Sequence, residues 1–138
     1  MKALLDTNIL LDVILDRPGF EPESGAVWTA CDAGRLTGFV SAVSLTTIYY
    51  VVEKTRGHEV AIAAVDECLA AFEVAPVDRH TLQAARGSNG VDFEDDVQAA
   101  SALAVGVDCI ITRDSSGFVR GPLPVYAPGP FMALLASL

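Results

Sequence analysis

Short apolar runs alternate along the chain with stretches whose apolar residues recur every three or four positions. Ala3-Leu4-Leu5, Gly38-Phe39-Val40-Ser41, Cys109-Ile110-Ile111-Thr112 and Pro124-Val125-Tyr126-Ala127 predict strands, since each is too short for a helix and is bounded by turn formers or charges. Phe72 to Val77 predicts another. Pro76 has no amide hydrogen for a ladder and confines that strand to a sheet edge. Helical stretches lie between. Asn8 to Leu15, Pro22 to Ala33 with Gly34 as stop, and Ser44 (as N-cap) to Arg56 with Gly57 as stop form the first three. Ile62, Val65, Leu69 and Phe72 follow 3, 4, 3 spacing and predict the buried face of a fourth. Asp78 caps a short helix through Arg86, Ser88-Asn89-Gly90 is a turn, and a further helix runs from the acidic stretch at Asp92 to Gly106. Phe131, Leu134, Leu135 and Leu138 mark a last helix. Alternating strands and helices imply an α/β fold, a parallel sheet of about five strands covered on both faces. No linker or repeat interrupts residues 1–138, so one domain is expected.

That topology gives the acids a common address. In a parallel sheet every strand ends at one edge and every following helix starts there, so ligands bind at that edge. Asp6 follows the first strand, Asp114 follows the fourth, and Asp95 opens the helix leading into the fourth. If the first and fourth strands are neighbours, the three converge. Each also has an ordinary explanation. Asp95 and Asp96 favour a helix dipole, Asp6 before Thr7-Asn8 suits a helix cap, and Asp114 before Ser115-Ser116-Gly117 suits an Asx turn. None of these explains three acids at one edge. Crowded carboxylates raise one another's pKa and tolerate proximity around a divalent cation. Oxygen-only ligands favour Mg²⁺ or Mn²⁺ over zinc, and such ions activate water and stabilise the leaving oxygen of a phosphodiester.

Composition narrows the partners. The net charge of −9 excludes a protein held to nucleic acid by a basic surface, and the seven Arg residues form no stripe. Bound cations can invert such a field locally, and a basic protein partner can meet the acidic surface. Cys31, Cys68 and Cys109 are far apart and sit among apolar neighbours, which predicts buried free thiols. No apolar run approaches the ~20 residues of a membrane span. Asp6 comes too early for a signal peptide, so a cytoplasmic protein without membrane contact is expected. His58 and His80 are isolated surface residues, Trp28 belongs to a helix core, and one of Tyr49 and Tyr50 faces outward. Asp12 and Asp16, four apart, read as solvated charge, with Asp12 within reach of the site. Neither a GxxxxGK[ST] nor a GxGxxG phosphate cradle occurs, and there is no GxSxG.

"LLDTNILLD" at Leu4 to Asp12, "DFEDDVQAASALA" at Asp92 to Ala104 and "CIITRD" at Cys109 to Asp114 together resemble the PIN domain family. "GFVSAVSLTTIYYVVEK" resembles its second strand and following helix. The resemblance implies an α/β/α sandwich. It also implies a Mg²⁺- or Mn²⁺-dependent ribonuclease acting on RNA, often a VapC-type toxin held inactive by a cognate antitoxin and often a homodimer. It assigns metal binding to Asp6, Asp95 and Asp114, and supporting roles to Asn8 and Thr112. One position departs: many PIN toxins carry Glu early in the helix after the second strand, where this chain has Thr47. Glu53 does not replace it, because six residues along a helix turn ~240° and rise ~9 Å. Glu94 can supply a fourth catalytic carboxylate from another element, as in the branch of the family that reads Phe-Glu-Asp here.

Two other functions remain open at this level. A degenerate PIN domain would bind RNA or protein without cleaving, and Thr47 and the acidic surface favour it. A phosphohydrolase of the haloacid dehalogenase kind also opens with Asp after its first strand. Its DxD hallmark is missing in Asp6-Thr7-Asn8, and Lys2 and Lys54 are the only lysines.

Overall fold

The computed structural model describes residues 1–118 and 121–138. Strands β1 (Lys2–Leu5), β2 (Thr37–Ser41), β3 (Glu73–Ala75), β4 (Cys109–Ile111) and β5 (Val125–Tyr126) form one parallel sheet in the order β3-β2-β1-β4-β5. The chain builds outward from β1 to β3, then crosses back to place β4 on the other side of β1. The strand order therefore reverses between β1 and β4, where an open α/β sheet has its ligand crevice. Leu5 lies opposite Ile111, so the residues after both strands leave the sheet side by side.

Successive β1 side chains alternate between the two faces, as strand geometry requires. Ala3 and Leu5 pack into a large core beneath α1 (Thr7–Ile14), α2 (Glu21–Asp32), α3 (Ala42–Arg56), α4 (His58–Ala71) and α7 (Pro128–Ala136). Leu4 packs on the opposite face with Ala102 of α6 (Phe93–Val105), Ile110 and Phe118. Helix α5 (Arg79–Ser88) lies against α6. The result is the expected three-layer sandwich. β3 is an edge strand as expected but shorter than Phe72 to Val77, stopping at Ala75 just before Pro76, and Asp78 caps α5 in a capping box with Thr81. Gly57, at φ +86°, is the one residue between α3 and α4, a backbone conformation that side chains resist.

Several expectations need correction. Ser41, not Ser44, occupies the N-cap position of α3, because the helix takes over directly from β2; Ser44 is buried in the first turn. The buried face of α4 is Ala61, Ala64 and Cys68, while Ile62 and Leu69 are 42% and 52% exposed. Small residues let α4 pack closely in a tight hairpin with α3, and its larger apolar side chains turn outward. Phe72 is buried, but from just beyond the helix. Trp28 is only half-buried and meets Phe72 edge-on at 4.8 Å between ring centroids. Leu138 lies beyond α7 and is exposed. The cysteines are free, with Cys31 half-buried. Burial pushes the Cys31 and Cys68 thiols up to about 12 and Cys109 up to about 11, which makes all three poor nucleophiles. Among the described residues, no helix is long and apolar enough to cross a membrane.

Candidate metal centre

Asp6 stands at the N-cap position of α1 with extended backbone, yet its side chain caps nothing. Its Oδ1 instead accepts a hydrogen bond from Gln98 Nε2 at 3.0 Å, and its Oδ2 accepts one from Thr112 Oγ1 at 2.8 Å. The capping explanation of Asp6 therefore falls. Its carboxylate is 6% exposed and is aimed by two donors from α6 and the end of β4. The Thr112 hydroxyl has one proton, spent on Asp6, and its oxygen accepts the Asp114 amide hydrogen at 3.1 Å. One buried hydroxyl thus ties the acid after β1 to the acid after β4.

The first turn of α6 divides its acids. Asp92 is the N-cap and accepts the Asp95 amide at 3.1 Å. Asp96 turns away and accepts the Gly90 amide at 3.1 Å, holding the preceding loop. Glu94 reaches the other way, with Oε1 3.4 Å from the Thr7 hydroxyl. Thr7 Oγ1 also lies 2.7 Å from Ser44 Oγ, which links α1 to α3. Thr47, at the position where the family pattern leads one to expect Glu, turns its hydroxyl to the Val43 carbonyl at 3.4 Å and lines the same pocket as Glu94. Asp95 lies against Gly117, where any Cβ would collide with its carboxylate. Asp114 fulfils its Asx-turn expectation with one oxygen, Oδ1 accepting from the Ser116 amide at 3.1 Å and hydroxyl at 2.7 Å.

Asp6, Glu94, Asp95 and Asp114 line one open pocket of about 330 Å³ together with Asp92, Thr7, Asn8, Arg17 and Thr47. Among the described residues no three of these acids stand close enough to form a ready cage for an ion. Like charges favour that spacing. Thr112 lies beneath the pocket and supports it. Asn8 is exposed at the rim, and its contact is with Arg17 Nη1 at 3.4 Å, not with an acid.

The electrostatics follow from the crowding. Burial, then the charges of Asp6, Asp92, Glu94 and Asp114, push Asp95 up from 3.8 to about 7. Burial and Asp92 raise Glu94 as well. Asp114 is held below its ordinary range by the Ser116 hydrogen bonds. The pocket therefore gains from any cation that relieves the repulsion, and its donors are all oxygen, the set suited to a hard divalent ion.

Three contributors escape sequence reading, and the expectation for a fourth residue, Asp12, is overturned. Gln98 sits one helical turn after Asp95, and its amide gives no sign of its partner. Asp92 reads in the sequence only as the start of a charged cluster, yet it caps α6 and lines the pocket. Asp12 is fully buried, not solvated, because Arg113 clamps it with Nε at 2.7 Å and Nη2 at 3.1 Å while Ser24 Oγ donates at 2.9 Å. The Arg113 guanidinium also lies 3.9 Å over the Phe20 ring. Asp12 never reaches the pocket; it anchors the residue between Thr112 and Asp114. Arg17, also unforeseen, lines the pocket itself.

A PIN domain family model matches residues 2–116, and the chain belongs to that family. Solved structures share the fold at low identity. VapC20 of Mycobacterium tuberculosis, described as a Sarcin-Ricin loop cleaving toxin, is 15% identical, with a TM-score of 0.70 over 86% of this chain and 95% of that one. VapBC2 of Rickettsia felis, solved bound to a DNA fragment from its promoter, is 19% identical, with a TM-score of 0.68 over 91% and 97%. The DNA-bound VapBC of Salmonella typhimurium is 22% identical, with a TM-score of 0.68 over 93% and 98%. No curated protein matches the chain.

Proposed function

We propose that the protein is a divalent-metal-dependent endoribonuclease of the toxin type, hydrolysing RNA phosphodiesters. The observation that carries this reading is the treatment of Asp6. A residue in a capping position gives its carboxylate to two buried donors, beside Glu94, Asp95 and Asp114 in one pocket. Asp6, Asp95 and Asp114 would hold Mg²⁺ or Mn²⁺, with Glu94 completing the acidic set in the pocket that Thr47 also lines. Such an ion supplies a Lewis acid for a phosphoryl oxygen and makes water a better nucleophile at neutral pH.

The chain's own residues do the rest. Gln98 and Thr112 fix the direction of Asp6, and Ser116 fixes Asp114, so the acids keep their aim when charge is added or removed. Glu94, raised by burial, is suited to accept a proton from the attacking water. Hydrolysis then adds the water oxygen to phosphorus as the phosphorus–oxygen bond to the leaving ribose breaks, and a proton from solvent goes to that ribose oxygen while Glu94 returns its own to solvent. An antitoxin-like protein partner fits the same reading. Several similar structures are VapBC pairs, and α3 and α4 leave Tyr50, Ile62 and Leu69 exposed on this chain.

The test is cleavage of a set of structured and unstructured RNAs with Mg²⁺ or Mn²⁺, by wild type, Asp6→Asn and Asp95→Asn. Cleavage lost in both variants, with circular dichroism unchanged, supports the proposal. Wild-type rates from either variant overturn it. Thr47 favours a second reading, RNA binding without chemistry; retained affinity without metal-dependent cleavage would establish it. The haloacid dehalogenase reading lapses with membership of a different family and with Asn at position 8.

A further inference from the structure

Arg17 is the one cationic side chain among the described residues lining the acidic pocket. It neutralises none of the pocket's acids, for its one ion pair is a loose 3.6 Å approach to Asp12. Asp12 is already taken by Arg113 and Ser24 at 2.7 to 3.1 Å. Both side-chain contacts of Arg17, to Asp12 and to Asn8 at 3.4 Å, use Nη1. That leaves Nε and Nη2 without a protein acceptor among the described residues. The side chain is 31% exposed. Its backbone, by contrast, is pinned: its amide donates to Asp12 at 3.0 Å, and its carbonyl accepts from Phe20 and Glu21 at 3.2 and 3.0 Å. A fixed base with an uncommitted guanidinium head is the form of a ligand clamp, not of a structural ion pair.

The ligand it suits is a phosphate. A guanidinium presents a planar fork that matches two phosphate oxygens, which a lysine cannot do. A chain of net charge −9 repels an RNA backbone over most of its surface. Apart from a bound metal ion, Arg17 is the one side-chain cation among the described residues lining the pocket that can offset this repulsion where the scissile region sits. We infer that Arg17 holds a backbone phosphate of the RNA at the mouth of the acidic pocket. The inference rests on the ribonuclease reading for its ligand, but Arg17's role in binding stands apart from whether cleavage follows.

The experiment is fluorescence anisotropy with a fluorescein-labelled ten-nucleotide single-stranded RNA of randomised sequence, in Mg²⁺, over a salt series. Asp95→Asn protein serves as the uncleaving parent, compared with the same protein carrying Arg17→Ala or Arg17→Lys. Arg17→Ala is expected to weaken binding about tenfold, the loss of one charge-assisted contact. It should also flatten the salt dependence by ~0.7, the slope of one phosphate contact on single strands. Arg17→Lys should keep the slope and recover only part of the affinity. Equal affinity and slope for parent and Arg17→Ala, or no binding by both the parent and wild type in Mg²⁺, overturns the inference. So does a loss that Arg17→Lys restores in neither slope nor affinity and that accompanies a fall in melting temperature. Loss on Arg17→Ala while wild type cleaves no RNA upholds the clamp and sinks the ribonuclease reading. Cleavage by wild type with Arg17→Ala binding unchanged does the reverse.

Discussion

Replacing Thr112 by Val keeps the shape of a side chain that is 1% exposed and removes the hydroxyl that joins two acids. The hydroxyl donates to the Asp6 carboxylate at 2.8 Å and accepts the Asp114 amide at 3.1 Å. Asp6 is 6% exposed, so water cannot freely replace the lost donor, and Gln98 alone remains. A hydrogen bond to a charged group contributes about 1.5–3 kcal/mol, so a loss of about 2 kcal/mol is expected. At about 2 cal/mol/K of unfolding entropy per residue, a chain of 138 residues melts roughly 7 °C lower for that loss. The assay is thermal unfolding of wild type, Thr112→Val, Asp6→Asn and the double variant. If the Asp6 charge is what Thr112 serves, the Thr112→Val penalty shrinks by about 1 kcal/mol or more in the Asp6→Asn background. A penalty of the same size in both backgrounds would refute the reasoning and leave Thr112 as ordinary packing.

Other perturbations have equally definite outcomes. Asp95 binds its proton more tightly folded than unfolded, so between about pH 4 and 7 the native state carries the extra proton and stability falls as pH rises. Metal-free protein should melt higher at pH 5.5 than at pH 7.5, Mn²⁺ should recover the loss at pH 7.5, and Asp95→Asn should flatten the profile. Arg113→Met strands the fully buried Asp12 and should cost about 3–5 kcal/mol in urea unfolding, whereas a change under about 1 kcal/mol would mean that water reaches Asp12. Gly117→Ala drives a Cβ into the Asp95 carboxylate and should reduce Mn²⁺ affinity, read by calorimetry, far more than it reduces melting temperature.

Features written in local chemistry were legible from the chain alone. Pro76 marked the end of β3, Asp78 the start of α5, and Gly57 and Gly106 the ends of α3 and α6. The convergence of Asp6 and Asp114 was legible because it needs only a parallel sheet with β1 beside β4. What escaped depends on partners distant in sequence. Asp12 is buried through an arginine 101 residues away. The outward turn of Ile62 and Leu69 depends on how closely α3 approaches α4, which 3, 4, 3 spacing does not encode. Spacing alone does not separate Asp96 from its neighbours: it holds the Gly90 amide, while Asp92, Glu94 and Asp95 line the pocket. Gln98 carried no charge to draw notice, yet it orients the acid on which the site depends.

The most direct test of the account is calorimetric titration of Mn²⁺ into metal-stripped protein, with Asp95→Asn alongside. Saturable binding by wild type that is lost in Asp95→Asn is the predicted result, and it would establish the acidic pocket as a cation site. Binding by neither protein, or equal binding by both, would contradict it and return the acids of α6 to helix capping.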